Sequence, residues 1–228
     1  MSEQHRFNYP DLDALLAHAE KLGVQLPTSD NLSRLGEPVP FGRLRMPNRF
    51  AVQPMEGCDC SAEGAPSELT IRKYERFAAG GVGMIWWEAC AVVPQGRANP
   101  RQLWLHEGSA DAFAVMVHHT RRAAAEQADT KPLLVLQLTH SGRYSRPINQ
   151  PAPIIAHHNP ILDPRHNLPA DYPLITDAEL ESLQDAYVEA AKLAAQVGFD
   201  AVDIKSCHRY LLSELLACHT RENSRFGG

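Results

Sequence analysis

The sequence lacks any long hydrophobic run and any excess of positive charge. None of its apolar stretches approaches the roughly 18 consecutive apolar residues that a membrane-spanning helix needs, and its first ten residues lack the apolar core of a secretory signal. Lys and Arg number 22 against 27 Asp and Glu, a net charge of −5, which disfavours binding to a nucleic-acid phosphate backbone. We therefore expect a cytoplasmic protein that binds neither membranes nor nucleic acids.

Cysteines are few, and their spacing does not indicate a metal site. The five cysteines at positions 58, 60, 90, 207 and 218 include no C-x-x-C pair, and their odd number disfavours a disulfide framework. We expect free thiols and no bound metal. One alternative stays open, a metal- or thiol-dependent enzyme that uses Cys58, Cys60 and the histidines.

The two common phosphate-binding glycine motifs are also absent. No G-x-G-x-x-G follows a predicted strand, and no G-x-x-x-x-G-K-S/T occurs. The nearest sequence, Gly80-Gly-Val-Gly83, precedes a strand instead of opening a helix, so it is interpreted as a helix stop.

Short apolar runs alternate with longer amphipathic segments along most of the chain. This alternation predicts a parallel α/β sheet, either a barrel or a doubly wound fold. Residues 1–34 are predicted to be a helical extension and linker, and residues 35–228 the α/β domain. Strands are predicted at 50–54, 82–88, 133–138 and 200–204, and helices at 11–22, 67–79, 109–127, 177–197 and 210–217.

A long segment between residues 141 and 175 shows no periodicity and contains seven prolines. Loops of this length are uncommon in compact domains and are often functional. We interpret this segment as a cover over an active site.

Polar side chains follow each predicted strand. In parallel α/β folds, ligands bind outside the carboxyl ends of the strands, and unpaired buried polar groups are costly. Two explanations for these polar side chains therefore stay open: they line a pocket at this edge, or they simply cap loops. The polar clusters are 53–56, 88–90, 137–143 and 205–210.

The same strand ends resemble those of the Old Yellow Enzyme family, in order, over residues 35–228. The resemblance implies a (β/α)8 barrel that holds FMN at the carboxyl ends of its strands, with NADH or NADPH as the reductant and an activated alkene as the substrate. Because only about four strands are predicted, it implies the N-terminal half of that barrel. The matching segments are Asn48-Arg49, Pro54-Met55, Glu88-Ala89, Pro94-Gln-Gly-Arg97, Gln137-Leu-Thr-His-Ser-Gly-Arg143 and Val202-Asp-Ile-Lys-Ser-Cys-His-Arg-Tyr-Leu211.

The resemblance assigns flavin-binding residues at three strand ends. Gln137 matches the glutamine whose amide can both donate to and accept from a pyrimidine edge. Ala89 matches a small residue packed beside the ring. The residues after the first strand match the stretch that contacts the isoalloxazine, although Glu56 stands where the family usually has Thr or Cys; they are Gln53, Pro54, Met55 and Glu56.

The resemblance also assigns catalytic residues after the fourth strand, where the family has His-x-x-His/Asn-Gly-Tyr. Lys205 and His208 stand at the two positions that hydrogen-bond a substrate carbonyl. Tyr210 matches the tyrosine that supplies a proton to the alkene carbon, and Arg209 replaces the glycine.

The small number of predicted strands keeps a second class of function open. A half-barrel without flavin activity would be a structural or interaction fragment. In either case, the uncovered sheet edges favour a homo-oligomer or a complementary C-terminal half as the partner. The alkene-reducing hypothesis requires only a small unsaturated molecule as substrate.

Overall fold

The computed structural model describes residues 7–227, so residues 1–6 of the predicted extension lie outside the described part. The chain forms two compact units, Met1–Arg34 and Leu35–Gly228. In the first unit, α1 (Leu12–Lys21) begins at Asp11, whose carboxylate accepts the Ala14 N–H at 2.8 Å. This confirms the helix predicted over 11–22. A single helical turn, α2 (Ser33–Gly36), follows.

A small antiparallel hairpin precedes the main sheet. It consists of β1 (Val39–Phe41) and β2 (Leu44–Met46), joined by a tight turn at Gly42, whose φ is +58°. The sequence analysis did not predict this hairpin, because its two three-residue strands are too short to show an alternating pattern.

The main sheet has four parallel strands in chain order, as predicted. They are β3 (Ala51–Val52), β4 (Met84–Ala91), β5 (Leu133–Thr139) and β6 (Ala201–Ile204). Strand β3 is shorter than the predicted 50–54, and Pro54, which has no backbone N–H, lies just beyond its end. The register pairs Ala51 with Met84, Met84 with Leu133 and Val135 with Ala201.

Helices connect the strands close to the predicted positions. Two of them begin with capping boxes, at Ser67–Thr70 and at Thr176–Glu179. The last helix is shorter than the predicted 210–217, and α5 was not predicted. The helices are α3 (Glu68–Ala79), α4 (Ala110–Ala128), α5 (Leu162–Arg165), α6 (Asp177–Gln196) and α7 (Leu211–Leu215).

The two faces of the sheet bury different sets of side chains. Leu134 and Leu136 pack with the helices in the larger core, while Leu133 and Val135 pack with Met46 of the hairpin on the opposite face. Successive side chains of a strand alternate between faces. Gln137, Asp203 and Lys205 therefore lie on the hairpin side of the sheet, towards its carboxyl edge.

The predicted irregular segment after β5 is held in place by one buried guanidinium. Arg143, whose side chain is fully buried, donates from Nε to Glu214 and from Nη1 to Asp163, both at 2.5 Å. It also donates to the His157 carbonyl at 3.2 Å. This network ties the segment to α7, so the segment has fixed anchor points despite having little regular structure.

Candidate active site

A hydrogen bond joins two neighbouring strands, β5 and β6, towards the carboxyl edge of the sheet. Gln137 pairs with Asp203 in the register of β5 and β6, and its Nε2 donates to Asp203 Oδ2 at 2.7 Å. Gln137 is buried, and within residues 7–227 its side chain makes only this hydrogen bond. Its carbonyl oxygen and its second amide hydrogen therefore remain available to a ligand.

Three polar side chains from two segments meet beside this edge. Lys205 Nζ donates to Glu56 Oε1 at 3.0 Å, and the Tyr210 hydroxyl donates to the same oxygen at 3.4 Å. Lys205 Nζ also lies 4.6 Å from the centroid of the Tyr210 ring. The Lys205 side chain is 4% exposed and the Glu56 side chain 20%, and Tyr210 is half-buried, so this cluster meets solvent through Glu56 and Tyr210.

The surroundings of Tyr210 keep its phenol protonated. Burial is the largest cause that raises the pKa of Tyr210 well above its ordinary value, and the negative charge of Glu56 raises it further. Tyr210 therefore has a proton to donate at neutral pH.

The loop that carries Glu56 is fastened to β4 by a buried carboxylate. Glu88 Oε2 accepts the Gly57 N–H at 2.7 Å. The other oxygen of Glu88 accepts from Lys73 Nζ at 2.6 Å and from the Tyr74 hydroxyl at 3.0 Å. Glu88 is 1% exposed, and these three donors compensate its burial. The position of Glu56 is thus linked through Gly57 to the core.

His208 lies apart from the other two residues that the resemblance makes catalytic. It is exposed, its ring centroid lies 6.1 Å from that of Tyr210, and its φ is +58°. Arg209 has a φ of +59°, and its guanidinium lies 5.7 Å from the Tyr144 ring centroid. The structure brings Lys205 and Tyr210 together and places His208 at the surface.

The remaining predicted flavin contacts differ in exposure. Gln53 and Met55 are exposed and Pro54 is half-buried, so this stretch presents an accessible surface after β3. Ala89 is fully buried at the end of β4, and its carbonyl accepts from Gln102 Nε2 at 3.0 Å.

The cysteines form no disulfide and no metal site in the part of the chain that the structure describes. All five thiols are free, and among residues 7–227 no group of three or more His, Cys, Asp or Glu side chains could hold a metal ion. Burial, and then the charge of Glu56, raise the pKa of the half-buried Cys58, which disfavours a reactive thiolate. No helix among the described residues is long and apolar enough to span a membrane.

Sequence reasoning missed the partners that hold these residues. The roles of Glu88 and Asp203 emerge only in three dimensions, because their partners lie 31 and 66 residues away in the chain. The sequence did contain one signal of such a pairing, a carboxylate within an apolar strand, because a carboxylate is buried only when it is paired.

Several known proteins are similar to this chain in sequence. An NADPH dehydrogenase of Halalkalibacterium halodurans is 31% identical over 185 residues, which cover 79% of this chain and 50% of the relative. An NADH-dependent flavin oxidoreductase of Aspergillus parasiticus is 29% identical over 214 residues, covering 86% of this chain and 46% of the relative. The chain therefore spans about half the length of these curated relatives.

Solved structures show the same fold. A 2-naphthoyl-CoA reductase complex has a TM-score of 0.72 at 18% identity, covering 86% of this chain and 31% of that one. Morphinone reductase has a TM-score of 0.69 at 22% identity, covering 85% and 54%. With the other Old Yellow Enzyme neighbours, these matches confirm that the four parallel β/α units belong to a partial TIM barrel.

The residues at the carboxyl edge fit a flavin ring. The unused donor and acceptor of Gln137 suit a pyrimidine edge, and the accessible stretch 53–55 follows β3, which is separated from β5 by one strand. The model of the NADH:flavin oxidoreductase / NADH oxidase family, whose cofactor is FMN with NADH or NADPH as reductant, matches residues 34–228. The chain belongs to this family.

Proposed function

We propose that this chain supplies the ring-binding and proton-donating half of an NAD(P)H-dependent FMN oxidoreductase that reduces activated alkenes such as α,β-unsaturated carbonyl compounds. The observation that carries the proposal is the cluster at the carboxyl edge. There Tyr210, which is protonated, and Lys205 lie on the same side of the sheet as the Gln137 amide, whose oxygen and second hydrogen are free to bind a ligand. Lys205 contacts the Tyr210 ring, and Gln137 is hydrogen-bonded to Asp203 of the same strand, β6, that leads into Lys205.

The ring would be held by Gln137 at its pyrimidine edge and by the stretch Gln53–Glu56 along its side, with Ala89 leaving room behind it. When bound, FMN would supply the hydride chemistry, with NADH or NADPH as the reductant and the alkene as the acceptor. Asp203 orients the Gln137 amide by accepting one of its hydrogens, which leaves the amide oxygen free to hydrogen-bond the ring.

Lys205 and His208 would bind the substrate carbonyl. An ammonium group has three N–H donors, and Lys205 uses one of them on Glu56. A second can hydrogen-bond the carbonyl oxygen and stabilise the negative charge that develops there. His208 is exposed, so it would approach the substrate from the solvent side.

Tyr210 would act as the general acid. Its pKa is raised, so the phenol is protonated at neutral pH and can give its proton to the α-carbon as the alkene accepts the hydride at the β-carbon. The buried setting excludes much of the water that could compete as a proton donor.

Reduction of cyclohexenone or maleimide by NADPH in the presence of the flavin-loaded protein tests this function. We expect yellow protein with bound FMN and NADPH oxidation that depends on the alkene. A flavin-loaded protein that oxidises no NADPH with either alkene, or with a dienoyl thioester, would refute alkene reduction.

Replacement of Tyr210 tests its role separately. Tyr210→Phe should slow alkene reduction by roughly 100-fold or more, the usual contribution of a general acid, while flavin reduction by NADPH stays nearly unchanged. Tyr144→Phe is a matched control, because the Tyr144 ring lies 5.9 Å from that of Tyr210. Equal losses in both half-reactions of Tyr210→Phe would contradict the assignment.

A second candidate function follows from the open edges of the sheet. Within the described residues, β3 and β6 each have one strand neighbour, and such edges favour pairing with further strands. A partner that supplies them, either a second copy or a complementary C-terminal half, would complete the barrel. Light scattering of the purified chain, with and without FMN, would distinguish an assembled flavoprotein from a flavin-free interaction fragment.

A further inference from the structure

Among residues 7–227, Glu56 is the one residue whose side chain hydrogen-bonds to both Lys205 and Tyr210. A single oxygen, Oε1, accepts from the ammonium at 3.0 Å and from the phenol at 3.4 Å. The carboxylate is therefore placed where it can exchange a proton with the tyrosine oxygen, and the lysine fixes that placement.

The proposed alkene reduction creates a demand for such a group. Each turnover removes the proton of Tyr210 and leaves a phenolate next to a carboxylate. Two like charges at this separation repel each other, particularly when partly buried. A second turnover requires that the phenolate recover its proton, and the group closest to its oxygen that can carry one is Glu56.

Partial exposure gives Glu56 access to protons from solvent. The Glu56 side chain is 20% exposed, whereas that of Lys205 is 4% exposed. Tyr210 is itself half-buried, and Glu56 is the carboxylate next to its hydroxyl through which a proton from water can arrive. The Gly57 N–H, held by the buried Glu88, keeps the backbone beside it in place, so the carboxylate does not need to move to reach the tyrosine.

We propose that Glu56 is a positioning residue that returns a proton from solvent to Tyr210 after each turnover. This inference rests on the proposed role of Tyr210 as general acid. A hydronium ion releases one proton to Oε1 and is left as water, and the same oxygen then transfers that proton to the phenolate oxygen. Glu56 ends as a carboxylate, Tyr210 as a neutral phenol and Lys205 keeps its charge, and no electrons move.

The first test follows the ionisation of Tyr210 in the chain itself, without flavin. Tyrosines labelled with carbon-13 at the ring carbon that bears the hydroxyl report ionisation by NMR, and Tyr210→Phe identifies the signal. We expect Glu56→Gln to lower the titration midpoint of Tyr210, because it removes a neighbouring negative charge, and Glu56→Asp to restore part of the shift.

Asp59→Asn is the matched control for this titration. Asp59 lies in the same loop and pairs with Lys73 at 3.5 Å, so its replacement reports any general disturbance of the loop. The Tyr210 midpoint should stay unchanged in this variant. An unchanged midpoint in Glu56→Gln, or an equal change in Asp59→Asn, would overturn the proposal.

The second test compares the first turnover with later ones in flavin-loaded protein. Tyr210 begins protonated, so in Glu56→Gln the later turnovers should be about tenfold slower than the first turnover of the same variant, within the usual range for a proton-transfer group, whereas the unmodified protein should show no such difference. Equal slowing of the first and later turnovers would overturn proton return. Absence of alkene reduction in the unmodified protein would refute the proposed function, whereas the flavin-free titration would still decide whether Glu56 and Tyr210 are coupled.

Discussion

Arg143 and Glu214 form a buried ion pair at 2.5 Å that joins the loop after β5 to helix α7. The Arg143 side chain is fully buried and that of Glu214 is 4% exposed. The second oxygen of Glu214 accepts the Ala156 N–H at 2.9 Å. One carboxylate thus fixes three segments, and without it Arg143 would keep Asp163 as its charged partner but would lose its contact with α7.

Glu214→Gln should lower the free energy of unfolding by about 2 kcal/mol, because a hydrogen bond between two buried charged groups is lost while Arg143 stays paired with Asp163. Urea denaturation measures this change. Glu189→Gln is the control, because Glu189 pairs with Lys192 on an exposed helix face, and such pairs contribute at most about 1 kcal/mol. Similar effects in the two variants would contradict the importance of the buried pair.

The stability of the protein should depend on pH through His140. Burial lowers the pKa of His140 from 6.5 to about 4. As pH falls below 6.5, the unfolded side chain takes up a proton before the folded one, so the contribution of His140 is complete above this pH and disappears as pH falls through 4. Between about pH 7.5 and pH 4.5 the loss should be roughly 2–3 kcal/mol.

His140→Asn isolates this contribution, since the Asn oxygen can replace Nδ1 as the acceptor of the Gly142 N–H at 3.1 Å. Urea unfolding at both pH values should show a smaller acid loss in this variant than in the unmodified chain. His219→Asn, at an exposed position, serves as the control. An unchanged acid loss in His140→Asn would rule out His140 as its source.

Gln137→Leu should weaken FMN binding by about tenfold or more, because it removes the hydrogen bonds to the pyrimidine edge, each of which contributes about 1 kcal/mol. Quenching of flavin fluorescence on titration with protein measures the affinity. Gln127→Leu, on the exposed end of α4, should leave the affinity unchanged. Equal affinities for Gln137→Leu and the unmodified chain would place the ring elsewhere.

Gly142→Ala should destabilise the junction between β5 and α7. Gly142 has a φ of +58°, and an added Cβ would lie 2.5 Å from the Leu211 nitrogen. The strained backbone and the overlap together should cost about 3 kcal/mol in the free energy of unfolding. Gly36→Ala is the control, because nothing lies within 4 Å of its added Cβ, and a comparable loss there would point to a general effect of glycine replacement.

The sequence allowed most of the regular structure to be predicted, because strands buried on both faces appear as continuous apolar runs. Strands β4, β5 and β6 and the longer helices were located within a few residues. The hairpin β1–β2 and the one-turn helices α2 and α5 were not, since elements of three or four residues are too short to reveal a period.

The residue types of the candidate site could be predicted from the sequence, but the contacts between those residues could not. Patterns along the chain identified Lys205, Tyr210 and Glu56 separately. Their meeting depends on the side-by-side arrangement of β3 to β6, which brings together residues 149 and 154 positions apart. The exposed position of His208 depends on backbone dihedral angles that residue type alone does not determine.

The left-handed backbone at His208 and Arg209 has a consequence for the tyrosine that follows. An L-residue at a φ near +60° is strained by about 1 kcal/mol or more, whereas the family's glycine at the second position would adopt this region without that cost. The folded structure therefore has to hold the segment that leads into Tyr210 against this strain. The entropy of fixing the acid is lost when the chain folds, and substrate binding does not have to supply it.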